Sequence, residues 1–236
     1  MSASLPWAVF EYAEVGSTQD VAKEKLDGSV VAPFMVRADH QTAGRGRAAR
    51  SWSSLAGNLQ STLVLPMGFD TRYAANFSFL TAVALSETVC GFCDGPLPKI
   101  EHKWPNDVWV NDRKLAGVLL EVYKDHLLIG TGVNIAAAPD GAIALHDVVS
   151  SDITPSLFLE RFLSWMDVYR KQMIEDGFCF VREKWLVRAR GIGGEITVRT
   201  PNETFQGVFD GIEEDGALRV LIGQDMRIIH SADVFF

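Results

Sequence analysis

Two hydrophobic patterns organise the first half of the chain. Short apolar, β-branched runs at Trp7–Val15, Val30–Ala38 and Asn58–Pro66 predict strands, and the long apolar stretch Tyr73–Phe92 predicts a helix packed across a sheet. Further short runs separated by tight polar turns predict an antiparallel meander of four strands, Ile100–Trp104, Val108–Val110, Lys114–Tyr123 and Leu127–Asn134. The pattern favours an α+β fold with a largely antiparallel sheet flanked by helices.

Polar residues mark the start of the first predicted helix, which covers Val21–Leu26. Ser17 can cap this helix, and Asp20 stands three residues later, where an acidic side chain completes a capping box. We therefore expect each of these two side chains to accept a hydrogen bond from the backbone N–H of the other residue.

The second half of the chain changes pattern at two points. Thr154-Pro155 predicts the start of a helix, with Thr154 as its cap and Pro155 in its first turn, and Phe178–Ala189 predicts a further helix. From Gly191 onward, turn residues separate short strands that predict a small β-barrel, namely Glu195–Arg199, Thr204–Ile212, Ala217–Ile222 and Met226–His230. We therefore expect a catalytic domain at residues 1–190 and a small domain at residues 191–236.

The composition narrows the classes of function. The chain has 236 residues and a net charge of −8, and such an acidic protein is not expected to take nucleic acid as its main partner. No apolar run is long enough to cross a membrane, and Met1–Ala8 does not look like a signal peptide. We therefore expect a cytoplasmic protein with no membrane partner.

Three cysteines raise the question of a metal or redox site. Cys90 and Cys93 form a C-x-x-C pair, whereas Cys179 stands alone. A structural zinc site needs a second pair of ligands at matching spacing, and the sequence offers none. We therefore interpret the pair as small apolar residues at the end of a buried helix.

The segment Gln41–Ser54 follows neither pattern and concentrates positive charge. Residues 44–52 read G-R-G-R-A-A-R-S-W. Guanidinium groups match the oxygens of phosphate and carboxylate, and glycines let backbone N–H groups come close to an anion. This arginine loop is therefore predicted to cradle an anionic ligand.

Three other interpretations of the arginine loop stay open. Gly44, Gly46 and Ala49 imitate the dinucleotide-binding fingerprint, but the residues that follow predict a strand and not the required helix. A nucleic-acid-binding loop conflicts with the acidic surroundings. A solvated surface loop needs no function at all.

Four blocks of sequence together resemble the biotin protein ligases. The arginine loop matches the G-R-G-R-x-x-R-x-W hallmark of that family at every specified position, and Lys103–Asp107 looks like its K-W-P-N-D motif. Arg113–Glu121 is similar to its K-L-A-G-I-L-x-E strand, and Gly130–Asn134 is similar to its G-x-G-I-N block. The blocks follow the order of the family, and the resemblance covers roughly residues 10–230.

This resemblance implies a mixed sheet, a C-terminal SH3-like barrel and a reaction in two steps. Biotin and ATP, with Mg²⁺, would give biotinyl-5′-AMP and pyrophosphate. A lysine of a biotin carboxyl carrier domain would then accept the biotin and release AMP. No DNA-binding domain precedes the core, so no repressor function is expected, and a homodimer is compatible with the resemblance.

The resemblance also implies roles for individual residues. Arg47 would retain the adenylate, Lys114 would contact the carboxylate and the α-phosphate, and Asp107 could hold Mg²⁺ or orient the acceptor amine. The expected ATP and adenylate ligands are Arg45, Arg50, Trp52 (as a lid), Asn106 and Asn134. The expected biotin ligands are Ser17, Thr18, Gln41, Gly44, Gly117, Leu119, Gly130, Gly132 and Val133.

Two departures from the family pattern concern the identity of the acid. Gln19 stands where many members have asparagine, and residues 142–146 lack the Ala-Thr-Ser-Leu segment of the family. Two alternatives therefore stay open. One is a lipoate or octanoate ligase or transferase, and the other is a biotin ligase-like protein that binds its ligand without turnover.

Overall fold

Seven strands form the larger of two sheets in the computed structural model, which describes residues 7–68, 70–149 and 152–236. In chain order they are β1 (Ala8–Val15), β2 (Phe34–Gln41), β3 (Leu59–Pro66), β4 (Ile100–Lys103), β5 (Asp107–Val110), β6 (Arg113–Tyr123) and β7 (His126–Val133). Their order across the sheet is β1-β2-β3-β7-β6-β5-β4. Strands β1 and β2 are parallel and all other neighbours are antiparallel, so the predicted mixed, largely antiparallel sheet is confirmed.

Helices cover the two faces of this sheet unequally. They are α1 (Thr18–Asp27), α2 (Asn76–Cys90), α3 (Pro155–Asp176) and α4 (Phe178–Val187). Helix α2 is buried on nearly every side because it lies between the sheet and the helices α3 and α4. Helix α1 packs on the opposite face, where Ala22 joins Phe34 and Val64 in a separate apolar cluster.

The start of α1 differs from the predicted capping box. Ser17 is the N-cap residue and has extended backbone, but its side chain makes no capping hydrogen bond. The carboxylate of Asp20 instead accepts two hydrogen bonds from Arg45, at 2.8 and 2.7 Å. The capping-box prediction is wrong because a bidentate charged partner from the arginine loop replaces the backbone N–H.

Of two other predicted element boundaries, one is confirmed and one is wrong. The cap of α3 is confirmed, since Thr154 Oγ1 accepts a hydrogen bond from the Leu157 N–H at 3.2 Å. Strand β2 begins at Phe34 and not at Val30. Pro33 lies just before it, and a proline has no N–H to donate to a strand ladder.

The C-terminal residues form a separate antiparallel sheet. Its strands are β8 (Glu195–Arg199), β9 (Thr204–Ile212), β10 (Leu218–Ile222), β11 (Asp225–Ile229) and β12 (Asp233–Phe235), in the order β11-β10-β9-β8-β12. Within residues 195–235 the edge strands β11 and β12 do not pair, so hydrogen bonds do not close the predicted barrel. Strand β12 was not predicted, because three residues are too few to show an alternating pattern.

The C-terminal sheet packs directly against the end of α2 that lies nearest the K-W-P-N-D turn. The indole Nε1 of Trp104 donates to the carbonyl of Gly216 at 3.0 Å, and the amide of Asn76 donates to the carbonyl of Glu214 at the same distance. A Cβ atom at Gly216 would overlap the ring of Phe79. The turn between β9 and β10 is therefore fixed to the start of α2 and to Trp104.

The two cysteines of the C-x-x-C pair lie at the end of α2. Burial raises the pKa of both the Cys90 and the Cys93 thiols. Among the described residues, no group of His, Cys, Asp and Glu side chains is arranged to hold a metal ion.

None of the described helices is both long enough and apolar enough to span a bilayer.

A buried histidine that was not predicted connects β4, α2 and α4. The Nε2 atom of His102 lies 2.7 Å from the Ser86 hydroxyl on α2, and its Nδ1 atom lies 3.0 Å from the Trp185 carbonyl on α4. Burial lowers the pKa of His102 to about 4. The ring is therefore neutral in the folded protein at physiological pH.

Because of this histidine, the free energy of unfolding should decrease as the pH decreases. As the pH drops below about 6.5, the unfolded chain binds a proton at His102, whereas the folded chain does so only near pH 4. Stability should fall by about 2 kcal/mol between pH 7 and pH 5, as measured by urea unfolding. His102→Gln should be less stable at pH 7 but should lose less stability on acidification. An equal loss in both proteins would contradict this account.

Candidate active site

The arginine loop closes over the face of the larger sheet that carries α1. On β6 and β7, Gly117 pairs with Gly132 and Leu119 pairs with Gly130. Side chains alternate along a strand, so these residues share the α1 face, and three of the four have no side chain to fill it. A cavity of about 160 Å³ lies between this bare backbone and the arginine loop.

Most of the residues expected to form the site line this one cavity. They come from the start of α1, the end of β2, the arginine loop, the K-W-P-N-D turn and the strands β6 and β7. In chain order they are Ser17, Thr18, Gln41, Arg45, Arg47, Arg50, Trp52, Asn106, Asp107, Lys114, Gly117, Leu119, Gly130 and Gly132.

One end of the cavity is polar and neutral. The carboxamide oxygen of Gln41 accepts hydrogen bonds from the Thr18 backbone N–H at 2.8 Å and from the Thr18 hydroxyl at 3.1 Å. The Thr18 hydroxyl also lies 2.8 Å from that of Thr62 on β3. These contacts fix the Gln41 amide and leave its nitrogen as a donor for a ligand.

The other end of the cavity is charged. Lys114 Nζ lies 2.8 Å from the carboxylate of Asp107, an ion pair that the sequence did not indicate. A register shift between β5 and β6 places Lys114 opposite Trp109, while Asp107 pairs with Gly117. The irregularity brings together two side chains that lie seven positions apart in the sequence.

Three arginines surround this charged end in different environments. Arg47 is half-buried, and burial lowers its pKa, while the charges of Asp107 and Asp233 oppose that shift. Arg50 lies 3.0 Å from Asp233 on β12. Arg45 forms a bidentate pair with Asp20, and this hydrogen bonding lowers the pKa of the Asp20 carboxyl. The loop therefore gathers cations that can meet a polyanion.

The strand glycines allow two side chains to come close to the backbone. A Cβ atom at Gly132 would overlap the Trp52 indole, and one at Gly117 would lie 3.4 Å from that ring. A Cβ atom at Gly130 would lie 3.2 Å from the amide nitrogen of Gln19. The Trp52 indole therefore lies directly against the backbone of β6 and β7 at this cavity.

Three residues expected in the site lie outside the cavity lining. Val133 is fully buried in the main core, because it follows Gly132 on β7 and so points to the opposite face. The amide nitrogen of Asn134 lies 3.4 Å from the Lys114 carbonyl. A Cβ atom at Gly44 would lie 2.8 Å from the Trp52 carbonyl, so Gly44 shapes the arginine loop itself.

The cavity lining includes further residues that were not among the expected ligands, namely Gln19, Gly46, Ser51, Ser61, Val118 and Thr131. Gln19 is the most informative of them. Only 3% of its surface is exposed, and its side-chain amide donates a hydrogen bond to the Leu119 carbonyl at 3.1 Å. Its position directly after Ser17-Thr18 was the available signal.

Family models match both parts of the chain. Residues 13–134 match the biotin/lipoate A/B protein ligase family, and residues 191–236 match the biotin protein ligase C-terminal domain. The first match covers the cavity lining from Ser17 to Gly132, and the second covers the C-terminal sheet.

Named relatives and solved structures agree with these matches. A biotin–[acetyl-CoA-carboxylase] ligase of Paracoccus denitrificans is 35% identical and covers 90% of this chain and 94% of its own. The bifunctional ligase/repressor BirA of Bacillus subtilis is 30% identical over 93% of this chain and 71% of its own. The biotin protein ligase of Aquifex aeolicus, solved with biotin and ATP, superposes with a TM-score of 0.83 at 26% identity and covers 97% of both chains. The chain belongs to the biotin protein ligase family.

Proposed function

We propose that this protein forms biotinyl-5′-AMP from biotin and ATP and transfers the biotin to a lysine of a carboxyl carrier domain. The observation that carries the proposal is the polarity of the cavity. Its neutral end at Thr18 and Gln41 suits a ureido ring, and its charged end at Arg47 and Lys114 suits a carboxylate beside a phosphate.

The first step joins two anions and therefore needs positive charge. A carboxylate oxygen of biotin attacks the α-phosphorus of ATP, and the bond from that phosphorus to pyrophosphate breaks. Lys114, oriented by Asp107, would stabilise the charge on the phosphoryl oxygens in the transition state, and Arg47 would act with it. Arg45 and Arg50 would contact the remaining phosphates while keeping Asp20 and Asp233 as partners, because a guanidinium carries five N–H donors.

The second step needs a dry cavity and a neutral amine. The adenylate is a mixed anhydride that water would hydrolyse, and the Trp52 indole over Gly132 would exclude water from it. The acceptor amine attacks the acyl carbon, the bond from that carbon to the phosphate oxygen breaks, and AMP leaves. Asp107 would orient the incoming amine from the side of the cavity where it meets Lys114.

A Mg²⁺ ion fits this site mainly through the nucleotide. Among the described residues that line the cavity, Asp107 is the only carboxylate, and Mg²⁺ is usually held by one or two carboxylates together with phosphate oxygens. Bound there, the ion would neutralise charge on the phosphates.

The two-domain division at residue 190, a cytoplasmic location and a homodimer also remain predictions.

The neutral end of the cavity favours biotin over lipoate or octanoate. An acid without ureido groups would leave the amide nitrogen of Gln41 desolvated and without an acceptor. Sites that are built to hydrogen-bond a substrate reject analogues without those groups far more strongly than apolar pockets do.

The first test is acid-dependent exchange between pyrophosphate and ATP. Biotin should support exchange, and lipoate and octanoate should be at least about 100-fold less effective, because neither satisfies the neutral end. Thr18→Val, which keeps the volume of the side chain, should raise the KM for biotin with little change in the KM for ATP. A folded preparation that shows no exchange with biotin would rule out the proposed reaction.

The second test concerns retention of the intermediate. Arg47→Gln should leave the fold intact but release the adenylate roughly 10- to 100-fold faster, because a charge-assisted hydrogen bond is lost. The measurement is a single-turnover release assay without acceptor. Arg227→Gln, on the exposed strand β11, is the matched control and should release the adenylate at the wild-type rate. Equal release from all three proteins would remove Arg47 from this role.

A further inference from the structure

The part of the arginine loop that presents Arg47 has an unfavourable backbone. Ala48 and Ala49 both lie in the left-handed region, with φ of 53° and 57°. Residues with a Cβ atom avoid that region, and two such residues in succession are rarer still. Residues 47–50, called the 47–50 turn below, therefore need support from their surroundings.

Arg50 provides support from within the arginine loop. Its backbone N–H and its side-chain Nε both donate to the Arg47 carbonyl, at 3.1 and 3.2 Å. Its own carbonyl accepts a hydrogen bond from the Gly46 N–H at 2.7 Å. One of these three hydrogen bonds, that from Nε, depends on the position of the Arg50 side chain.

The far end of the Arg50 side chain reaches the C-terminal sheet. Its Nη2 atom donates to Asp233 Oδ1 at 3.0 Å, across 183 positions of sequence. Asp233 begins β12, where Val234 is buried and Phe235 packs over the guanidinium of Arg199. The carboxylate is therefore mounted on a fixed element of the small domain.

Asp233 acts on further cations around the cavity. Its charge raises the pKa of Arg47 against the effect of burial, and it does the same for Lys103 of the K-W-P-N-D block. The carboxylate thus sits among three cations, two of which belong to the 47–50 turn.

We propose that Asp233 is a positioning residue, which holds Arg50 and thereby keeps the 47–50 turn closed with Arg47 directed at the cavity. Through this contact the C-terminal sheet controls the arginine loop without touching a substrate. The catalytic consequence rests on the proposed function, whereas the closure of the turn does not. The opposite possibility is that Asp233 competes with the nucleotide for Arg50.

The expected effect is modest, because the ion pair is exposed. The two side chains are 61% and 42% accessible, and exposed ion pairs contribute little in water. We expect a two- to five-fold change in the population of the open turn. Salt screens such pairs, so the difference between wild type and variant should shrink as ionic strength rises.

Trypsin tests the closure of the turn without any substrate. Cleavage after Arg47, identified by mass spectrometry, should be two- to five-fold faster in Asp233→Asn than in wild type, because proteolysis follows the population of the open form. Asp233→Glu, which keeps the charge, should restore slow cleavage. Asp225→Asn removes the same charge from the opposite edge of the sheet and should match wild type. Equal cleavage in Asp233→Asn and Asp225→Asn would overturn the proposal.

Adenylate kinetics test the consequence for the reaction. Asp233→Asn should release biotinyl-5′-AMP two- to five-fold faster and should raise the KM for ATP, with the affinity for biotin alone unchanged. A lower KM for ATP in Asp233→Asn would instead show that the carboxylate competes with the nucleotide, and would overturn the proposal. If wild type forms no adenylate, the proposed function fails, and the trypsin experiment still decides whether Asp233 holds the turn.

Discussion

Mutual repulsion among four cations is the constraint on which the site depends. Arg45, Arg47, Arg50 and Lys114 converge on one cavity. Two like charges 4 Å apart repel by about 4 kcal/mol at an effective dielectric constant of 20, and a whole domain is stable by only about 5–15 kcal/mol. A cluster of this kind therefore cannot be assembled without counter-charges.

The fold supplies those counter-charges from three separate elements. Asp20 on α1 pairs with Arg45, Asp107 on β5 pairs with Lys114, and Asp233 on β12 pairs with Arg50. Asp107 lines the cavity itself, whereas Asp20 and Asp233 hold their arginines from outside its lining. The repulsion is therefore offset before a nucleotide binds, which lowers the cost of ordering the arginine loop around it.

Local patterns predicted the scaffold and an anion-binding loop, whereas contacts that depend on a strand irregularity or on a long sequence separation could not be predicted. Short polar turns join β4 to β7, so their antiparallel order followed from the sequence. The ion pair of Asp107 with Lys114 depends on a register shift, and that of Arg50 with Asp233 joins residues 183 positions apart. Val133 was wrongly predicted to line the biotin site, and the sequence alone could have prevented this error. A residue next to Gly132 on a strand must face the other way.

The two ends of the cavity separate the choice of acid from the chemistry. The charged end recognises features that any carboxylic acid shares when it is activated with ATP, and so it does not distinguish biotin from lipoate. At the neutral end, Thr18 holds the Gln41 amide in one orientation, so an acid without a matching acceptor leaves a buried donor unsatisfied. Such a loss costs about 1–3 kcal/mol for each group. In this cavity the choice of acid therefore depends on Thr18 and Gln41, while its activation depends on Lys114 and Asp107 at the other end.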